Sequence, residues 1–259
     1  MAFIVSGCGA GSGDTEVASN SDLSNTNVDT SDTLFKDDRV MAVNIEMASE
    51  DYQSLRDDGR QLGLIALGCA TEFEWAQFSA TVTVDGDILD NVDIRKKGFL
   101  GSVIASRPSF KLNFDTYEPG RRLHSLERMT LNNNRQDASN ARQCMSYDMF
   151  RAVGLPAPRC SYAQVEVNGD DLGIYTHVES IKKHFLRRNF SSDAGNLYES
   201  QLGDFGEFTK QNYQLKTNKE DNDRTDLNQV VEALLAEDYN LPDLLGQTVD
   251  LNQFLDYWA

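Results

Sequence analysis

Features that mark several large classes of proteins are absent or scarce in this sequence. Its 259 residues contain no run of about 18 or more apolar residues, so no membrane-spanning helix is predicted. The 24 Lys and Arg residues are outnumbered by 41 Asp and Glu residues, and the net charge of -17 argues against a nucleic-acid partner, because binding a phosphate backbone requires a basic field. The spacing of His124, His177 and His184 indicates neither a zinc site nor a Ser/His hydrolase.

Cysteine is also scarce, and the first cysteine ends a segment typical of bacterial lipoprotein signals. Val5, Ser6 and Gly7 precede Cys8 as in a lipobox, whose cysteine is acylated. The basic residues and the apolar run of about 7 to 15 residues that a signal requires are missing, so either the recorded start is too late or the match is accidental. The residues that follow are mostly Gly, Ser, Asn, Asp and Thr, which is typical of a disordered tether. We expect residues 1–36 to be a truncated lipoprotein signal and disordered linker, with membrane contact only through a lipid at Cys8.

The other cysteines, Cys69, Cys144 and Cys160, form no CxxC pair, so metal binding through sulfur is not indicated. In an oxidising compartment one pair could bridge and one thiol would be left over. The sequence does not choose the pair.

Basic residues are concentrated in one part of the chain. Residues 93–190 contain 16 Lys and Arg against 10 Asp and Glu, whereas the rest of the chain is strongly acidic. Two interpretations remain open, chance clustering on solvated faces and a pocket for a phosphorylated ligand.

The order of predicted elements indicates the fold class. Alternating apolar residues predict strands, and the turns Asp85-Gly86 and Asn168-Gly169 predict hairpins. A spacing of three to four from Asp137 to Gly154 predicts one long helix. Further strands are predicted from Val40, at 109–115, around Met129 and at 196–198, and further helices at 49–59, 181–190, 226–237 and from Asp250. Strands, one helix, more strands and then helices predict an α+β fold.

Lys111 is the residue whose surroundings most suggest chemistry. The apolar Phe110, Leu112 and Phe114 alternate with it, so the lysine lies on the strand face opposite the core. A lysine on an open strand face, after a glycine-bearing turn and before a helix and a hairpin, is the layout of a protein-kinase N-lobe, in which it contacts ATP phosphates. On its own this pattern is weak, because exposed strand lysines are usually edge or solubility residues.

Several segments in succession resemble the CotH kinase family, the spore coat protein H-like proteins. They are "IRKKGFLGS", "SRPSFKLNFD", "GLPAPR", "VEVNGDDLGIYTHVE" and "GNLYE", and the resemblance extends from about Val40 to the last residue. The resemblance implies an atypical kinase, secreted or coat-associated, that uses ATP and Mg²⁺ to phosphorylate hydroxyl side chains of extracytoplasmic proteins. It also implies a kinase-like N-lobe at 37–218, an antiparallel sheet with one long helix, followed by the incomplete start of a helical C-lobe at 219–259.

The same resemblance assigns nucleotide-binding roles to Lys111, Gly98, Gly101, Ser102, Arg107 and Glu179. Lys111 corresponds to the phosphate-contacting lysine, and the glycines and serine to the turn above the nucleotide. Arg107 is close enough in sequence to help neutralise phosphate charge. Glu179 matches the segment that passes beside the adenine.

The catalytic residues are expected outside this chain. Kinases place the catalytic and metal-binding carboxylates in the C-lobe, and in this family the acidic motif follows a helix similar to "QFLDYWA" at 253–259. We therefore expect the catalytic base and the Mg²⁺ ligands beyond Ala259. Asp221, Asp223 and Asp226 are predicted to form a solvated loop instead.

Two functions follow from these expectations. One is an extracytoplasmic kinase, at the cell surface or in the periplasm, whose catalytic half is missing from this chain. The other is a non-catalytic cell-surface or coat scaffold of the same family. The predicted partner is a protein in both cases, either a substrate or an assembly component.

Overall fold

A computed structural model describes residues 2–5, 29–59, 74–98, 102–103, 106–200, 204–236 and 241–259. They belong to two compact units: the barrel unit, residues 29–180, and the C-terminal unit, residues 181–259 with the strand at 2–5. In chain order the strands are β1 (Ala2–Val5), β2 (Val40–Glu46), β3 (Phe78–Val84), β4 (Asp87–Lys97), β5 (Ser109–Asn113), β6 (Arg128–Asn132), β7 (Cys160–Val167), β8 (Asp170–Val178), β9 (Asn196–Ser200) and β10 (Tyr213–Leu215). The helices are α1 (Ser49–Asp57), α2 (Arg142–Ala152), α3 (Lys183–Asn189), α4 (Thr225–Leu235), α5 (Leu241–Leu245) and α6 (Leu251–Trp258).

Seven strands of the barrel unit close into a mixed barrel in the order β2-β3-β4-β5-β6-β8-β7. Neighbouring strands are antiparallel except β2 and β7, whose parallel pairing closes the barrel. Alternate side chains point inwards, and Val82, Ile94, Leu112 and Val165 are among those fully buried there. The barrel interior is therefore the main hydrophobic core of this unit, and polar side chains of the same strands lie on its outer face.

Both predicted hairpins are confirmed. Asp85-Gly86 connects β3 to β4, and Asn168-Gly169 connects β7 to β8. All four residues have positive φ, which a two-residue hairpin turn requires and which Asp, Asn and Gly adopt most readily.

The predicted α+β fold, with a kinase-like N-lobe of an antiparallel sheet and one long helix, is wrong. The strands form a closed mixed barrel, and the helix predicted from Asp137 to Gly154 is reduced to the 11-residue α2. Asp137 lies in the turn before it, where its carboxylate accepts hydrogen bonds from the backbone N–H groups of Ser139 and Arg142. Alternation identifies a strand and its inward residues but not its neighbours, so open and closed sheets look alike in sequence.

A disulfide joins α2 to the barrel. Cys144 lies in α2 and Cys160 is the first residue of β7, and their sulfurs are bonded. The sequence had left the pairing open. Cys69 lies outside the described residues.

Lys96 attaches α1 to the barrel. Its side chain points inwards and is 2% exposed, and its Nζ donates hydrogen bonds to the carbonyl oxygens of Arg56 and Asp58, each at 2.6 Å. A cation is favoured at these carbonyls because they lie at the C-terminal end of the helix. Burial lowers the pKa of Lys96, whereas the nearby Asp58 and Asp57 act in the opposite direction.

Residues 29–37 contact the barrel where β7 begins and β8 ends, chiefly through Phe35. The Phe35 ring stacks on His177 with 4.5 Å between ring centroids, and the Arg159 guanidinium lies 4.4 Å from the Phe35 centroid. Arg159 also pairs with Glu179 at 2.9 Å and with Asp32. The segment before β2 is thereby fixed to the barrel by stacking and by charge.

His177 is fully buried at this contact. Its Nδ1 lies 3.2 Å from both the Leu34 carbonyl oxygen and the Ser161 hydroxyl, and that hydroxyl donates to the same carbonyl at 2.8 Å. Since a carbonyl only accepts, Nδ1 carries the proton. Burial is the main cause that lowers the pKa of His177, to about 4. The folded protein therefore holds this imidazole neutral.

The C-terminal unit contains a three-stranded antiparallel sheet, β1-β9-β10. Tyr198 of β9 donates from its hydroxyl to Asp226 at 2.6 Å, and Asn196 donates to the other carboxylate oxygen at 3.1 Å. Asp226 is thus bound to the sheet, whereas Asp221 and Asp223 are exposed, as a solvated loop requires. Among the described residues, no helix combines the length and the apolar character that crossing a membrane requires.

The buried His177 predicts a loss of stability in mild acid. Because the folded pKa, about 4, lies below the unfolded value, the contribution of neutral His177 is complete above about pH 6.5 and is lost as the pH falls towards 4. This residue alone is expected to lower the free energy of unfolding by about 3 kcal/mol between pH 7 and pH 4. Urea denaturation of His177→Gln should show a shallower dependence on pH over this range. His124→Gln, which changes a partly exposed histidine, is the control, and an equally steep dependence in His177→Gln would contradict the assignment.

Candidate anion-binding site

Four basic side chains lie together on the outer face of the barrel, and we call this patch the cationic face. Arg95 and Lys97 come from β4, Lys111 from β5 and Arg128 from β6, three neighbouring strands. Each adjoins an inward-pointing buried residue in its strand, so the alternation directs all four side chains outwards.

Lys111 lies at the centre of the cationic face. It is directly opposite Arg95 on β4 and Thr130 on β6, and its side chain is half-buried. Like charges directly opposite each other on a sheet are destabilising. Arg95 also interacts with Asp93, and a bound anion would offset the repulsion further.

Lys97 is held by a chain of hydrogen bonds that reaches α2, which we call the α2 relay. Lys97 Nζ donates to Asn132 Oδ1, and Asn132 Nδ2 donates to Gln143 Oε1 at 2.8 Å. Gln143 in turn donates from Nε2 to the Tyr147 hydroxyl at 3.1 Å. The position of α2 is therefore coupled to the orientation of one lysine of the cationic face.

Asp93 is a buried acidic residue beside these cations. It precedes Arg95 by two residues on the same outer face, is 3% exposed, and accepts a hydrogen bond from the Thr116 hydroxyl at 3.0 Å. Burial raises the pKa of Asp93, against the opposing effects of the Thr116 hydrogen bond and of Arg95 and Arg128. Asp93 thus interacts electrostatically with Arg95 and Arg128 of the cationic face.

The connection from β4 to β5 begins with a glycine turn next to Lys97. Gly98 has a φ of +138°, and a Cβ at this position would lie 2.7 Å from the Ser102 hydroxyl. Asn133 fixes the connection, because its Nδ2 donates to the carbonyl oxygens of Ser102 at 3.1 Å and Arg107 at 2.6 Å. A close backbone approach of this kind is what glycine permits.

A family model described as CotH kinase protein matches residues 94–259, well over half of the chain. The chain belongs to the CotH family. Inner spore coat protein H of Bacillus subtilis (strain 168) is 27% identical over 128 residues, which cover 45% of this chain and 34% of that protein. The chain thus spans about a third of that relative's length. The predicted resemblance to the CotH family is confirmed, and the matched region includes the whole cationic face.

Three of the residues predicted for nucleotide binding in this CotH protein lie on or after the strands of the cationic face. Lys111 is on the cationic face, and Gly98 and Ser102 form the turn that follows Lys97. Gly101, and Cys8 of the predicted lipidation site, lie outside the described residues. The nucleotide contacts themselves stay predictions.

Arg107 is placed against β8. Its Nη2 donates to the Ile174 carbonyl oxygen, and its guanidinium carbon lies 4.9 Å from the centroid of the Tyr175 ring. The side chain thus has a structural contact, and the predicted role in binding phosphate stays a prediction.

Glu179 is placed inside the protein, with 1% of its side chain exposed. One carboxylate oxygen pairs with the Arg159 guanidinium at 2.9 Å and the other accepts the Arg159 backbone N–H at 3.0 Å. The predicted adenine contact of Glu179 stays a prediction, and the structure gives its carboxylate a different partner.

Sequence reasoning missed the residues that surround Lys111. Arg95, Lys97 and Arg128 are on the same face. Asn132 accepts a hydrogen bond from Lys97, and Asn133 holds the connection that follows Lys97. Strand alternation would have placed the three cations outside the barrel. Only the strand order β4-β5-β6 places them side by side.

The close approach at Gly98 predicts a measurable effect on stability. Gly98→Ala is expected to lower the free energy of unfolding by about 2 to 4 kcal/mol, since a Cβ at positive φ costs about 1 kcal/mol and the contact with Ser102 adds overpacking. Gly86→Ala is the matched control, because φ there is +99° but no atom lies within 4 Å of the added Cβ. Urea denaturation followed by circular dichroism measures both. Equal losses in the two variants would show that the turn is not packed as described.

Proposed function

We propose that this chain supplies the nucleotide-binding part of a CotH-type kinase, which transfers phosphate from ATP to hydroxyl side chains of extracytoplasmic proteins. The observation that carries the proposal is the convergence of four basic side chains on one face beside a glycine turn. Lys111 Nζ would donate to phosphate oxygens, and Arg95 and Lys97 would add charge from β4.

The electrostatics of the chain support a specific anion site rather than general basicity. The chain carries a net charge of -17, yet four cations meet on adjacent strands where Arg95 and Lys111 are directly opposite. Repulsion of this kind is expected to be retained where a ligand offsets it. A triphosphate is a ligand of matching charge, and the backbone of a glycine turn can approach its oxygens closely.

Binding is the role assigned to the described residues. Phosphoryl transfer depends mostly on positioning and on neutralising charge, which are the contributions that a cationic face can make. Among the described residues no group of three His, Cys, Asp or Glu side chains is arranged to hold a metal ion. We therefore assign none of them to the Mg²⁺ that the family implies.

The setting that we propose is a spore coat or another extracytoplasmic surface, with a protein as substrate or assembly partner. The relative's name, inner spore coat protein H, supports a coat location. The Cys144–Cys160 disulfide supports an oxidising compartment. Lipid attachment at Cys8 belongs to the same proposal.

Substitution of Lys111 tests the proposed site. Lys111→Ala is expected to weaken ATP binding about 10-fold to 100-fold, because a charge-assisted hydrogen bond contributes about 1.5–3 kcal/mol. Isothermal titration calorimetry with ATP measures the affinity, and Arg95→Ala is expected to weaken it in the same direction. Lys219→Ala removes the same charge from an exposed position in the C-terminal unit and is the control.

Two outcomes would change the proposal. Equal ATP affinity in the parent protein, Lys111→Ala and Arg95→Ala would show that the cationic face does not bind the nucleotide. Complete absence of ATP binding by the parent protein would favour the second candidate, a non-catalytic coat or surface scaffold, which the name of the relative also supports.

A further inference from the structure

The disulfide is the covalent attachment of α2 to the barrel, beside hydrogen bonds of Gln143 with Asn132 and of Arg151 with the Pro158 carbonyl oxygen. The structure describes every residue of α2, and Cys144 is the single buried residue among them. Around the Cys144–Cys160 bond pack Val178 and the half-buried Tyr147 and Tyr162. On the solvent side, Met145, Met149 and Val153 are more than half exposed. A helix with so little buried surface depends on the covalent bond for its position.

The bonded helix also carries the α2 relay. Gln143 precedes Cys144 directly, and its side chain accepts the hydrogen bond from Asn132, which in turn accepts the bond from Lys97. A displacement of α2 of more than about 1 Å would break the Asn132–Gln143 hydrogen bond, since such bonds weaken steeply beyond about 3.2 Å. Asn132 would then lose the partner that orients its side-chain amide, the group whose Oδ1 accepts the hydrogen bond from Lys97.

A pocket opens onto the disulfide. It has a volume of about 270 Å³ and is lined by both cysteines, with Phe35, Met145, Arg151 and Tyr162 among the other residues. Both bonded cysteines therefore border a space large enough for an attacking thiol.

We propose that the Cys144–Cys160 disulfide is a thiol–disulfide exchange site whose substrate is a dithiol reductant, and that its reduction releases α2 and alters the cationic face. The second half of this inference rests on the proposed function, because it assigns regulation to the same site. The first half depends only on the packing of α2.

The exchange consists of two successive thiol–disulfide displacements. One thiolate of the dithiol attacks a sulfur of the pair, the Cys144–Cys160 bond breaks, and a mixed disulfide forms as the other cysteine leaves and takes a proton. The second thiol of the reductant then displaces the remaining cysteine, which also takes a proton. The protein gains two electrons and two protons, and the dithiol is oxidised to a disulfide.

Hydrogen exchange tests the release of α2. The full chain is compared before and after treatment with dithiothreitol, and amide exchange is followed by mass spectrometry. Peptides from 142–152 are expected to exchange at least about tenfold faster after reduction, while peptides from β4, β5 and β6 keep their protection. The double variant Cys144→Ser, Cys160→Ser should match the reduced protein. Unchanged exchange at 142–152 would overturn the proposal.

Chemical labelling tests the link to the cationic face without any nucleotide. Acylation of Lys97 by an amine-reactive ester is expected to be about fivefold faster after reduction, since Asn132 is no longer oriented by Gln143 and its hydrogen bond with Lys97, of about 1 kcal/mol, is weakened. Lys210 of the C-terminal unit is the control lysine. Gln143→Ala should accelerate the labelling of Lys97 while leaving the disulfide and the exchange at 142–152 unchanged. Release of α2 with an unchanged Lys97 rate would overturn the coupling.

ATP titration of the oxidised and reduced protein separates this inference from the proposed function. A lower affinity after reduction supports both. If neither form binds ATP, the proposed function fails, whereas the exchange and labelling results still decide whether the disulfide controls α2 and Lys97.

Discussion

The parallel pairing of β2 with β7 is the constraint on which the barrel unit depends. It joins residues 40–45 to residues 162–167 and closes a sheet whose other neighbours are all antiparallel. Closure removes the edges that an open sheet would expose and seals the apolar side chains inside. Because β4, β5 and β6 are neighbours in the closed barrel, their outward side chains share one part of its outer surface.

Charged side chains are arranged differently on the inner and outer faces of the barrel. Inside, two buried charged side chains have specific partners: Lys96 binds the carbonyls of Arg56 and Asp58, and Glu179 binds Arg159. Outside, Arg95 and Lys111 are placed against each other. Buried charges must be compensated within the fold, whereas a repulsive pair on the outer wall is compatible with a ligand that comes and goes.

Sequence patterns among neighbouring residues predicted much of the secondary structure but little of how the strands and helices pack together. The Asp85-Gly86 and Asn168-Gly169 turns and the alternation around Lys111 depend on neighbouring residues, so the sequence was sufficient for them. Barrel closure, the inward direction of His177 and the partner of Cys144 depend on contacts between distant segments. The family was identified from its motifs, but the neighbours of Lys111 required the strand order.

A small basic patch on a strongly acidic molecule also selects ligands by size. At physiological ionic strength the field of a surface charge decays over a Debye length of about 8 Å. A compact anion bound there is influenced mainly by Arg95, Lys97, Lys111 and Arg128. An extended polyanion would instead be exposed to the net charge of -17 of the whole chain, which is repulsive.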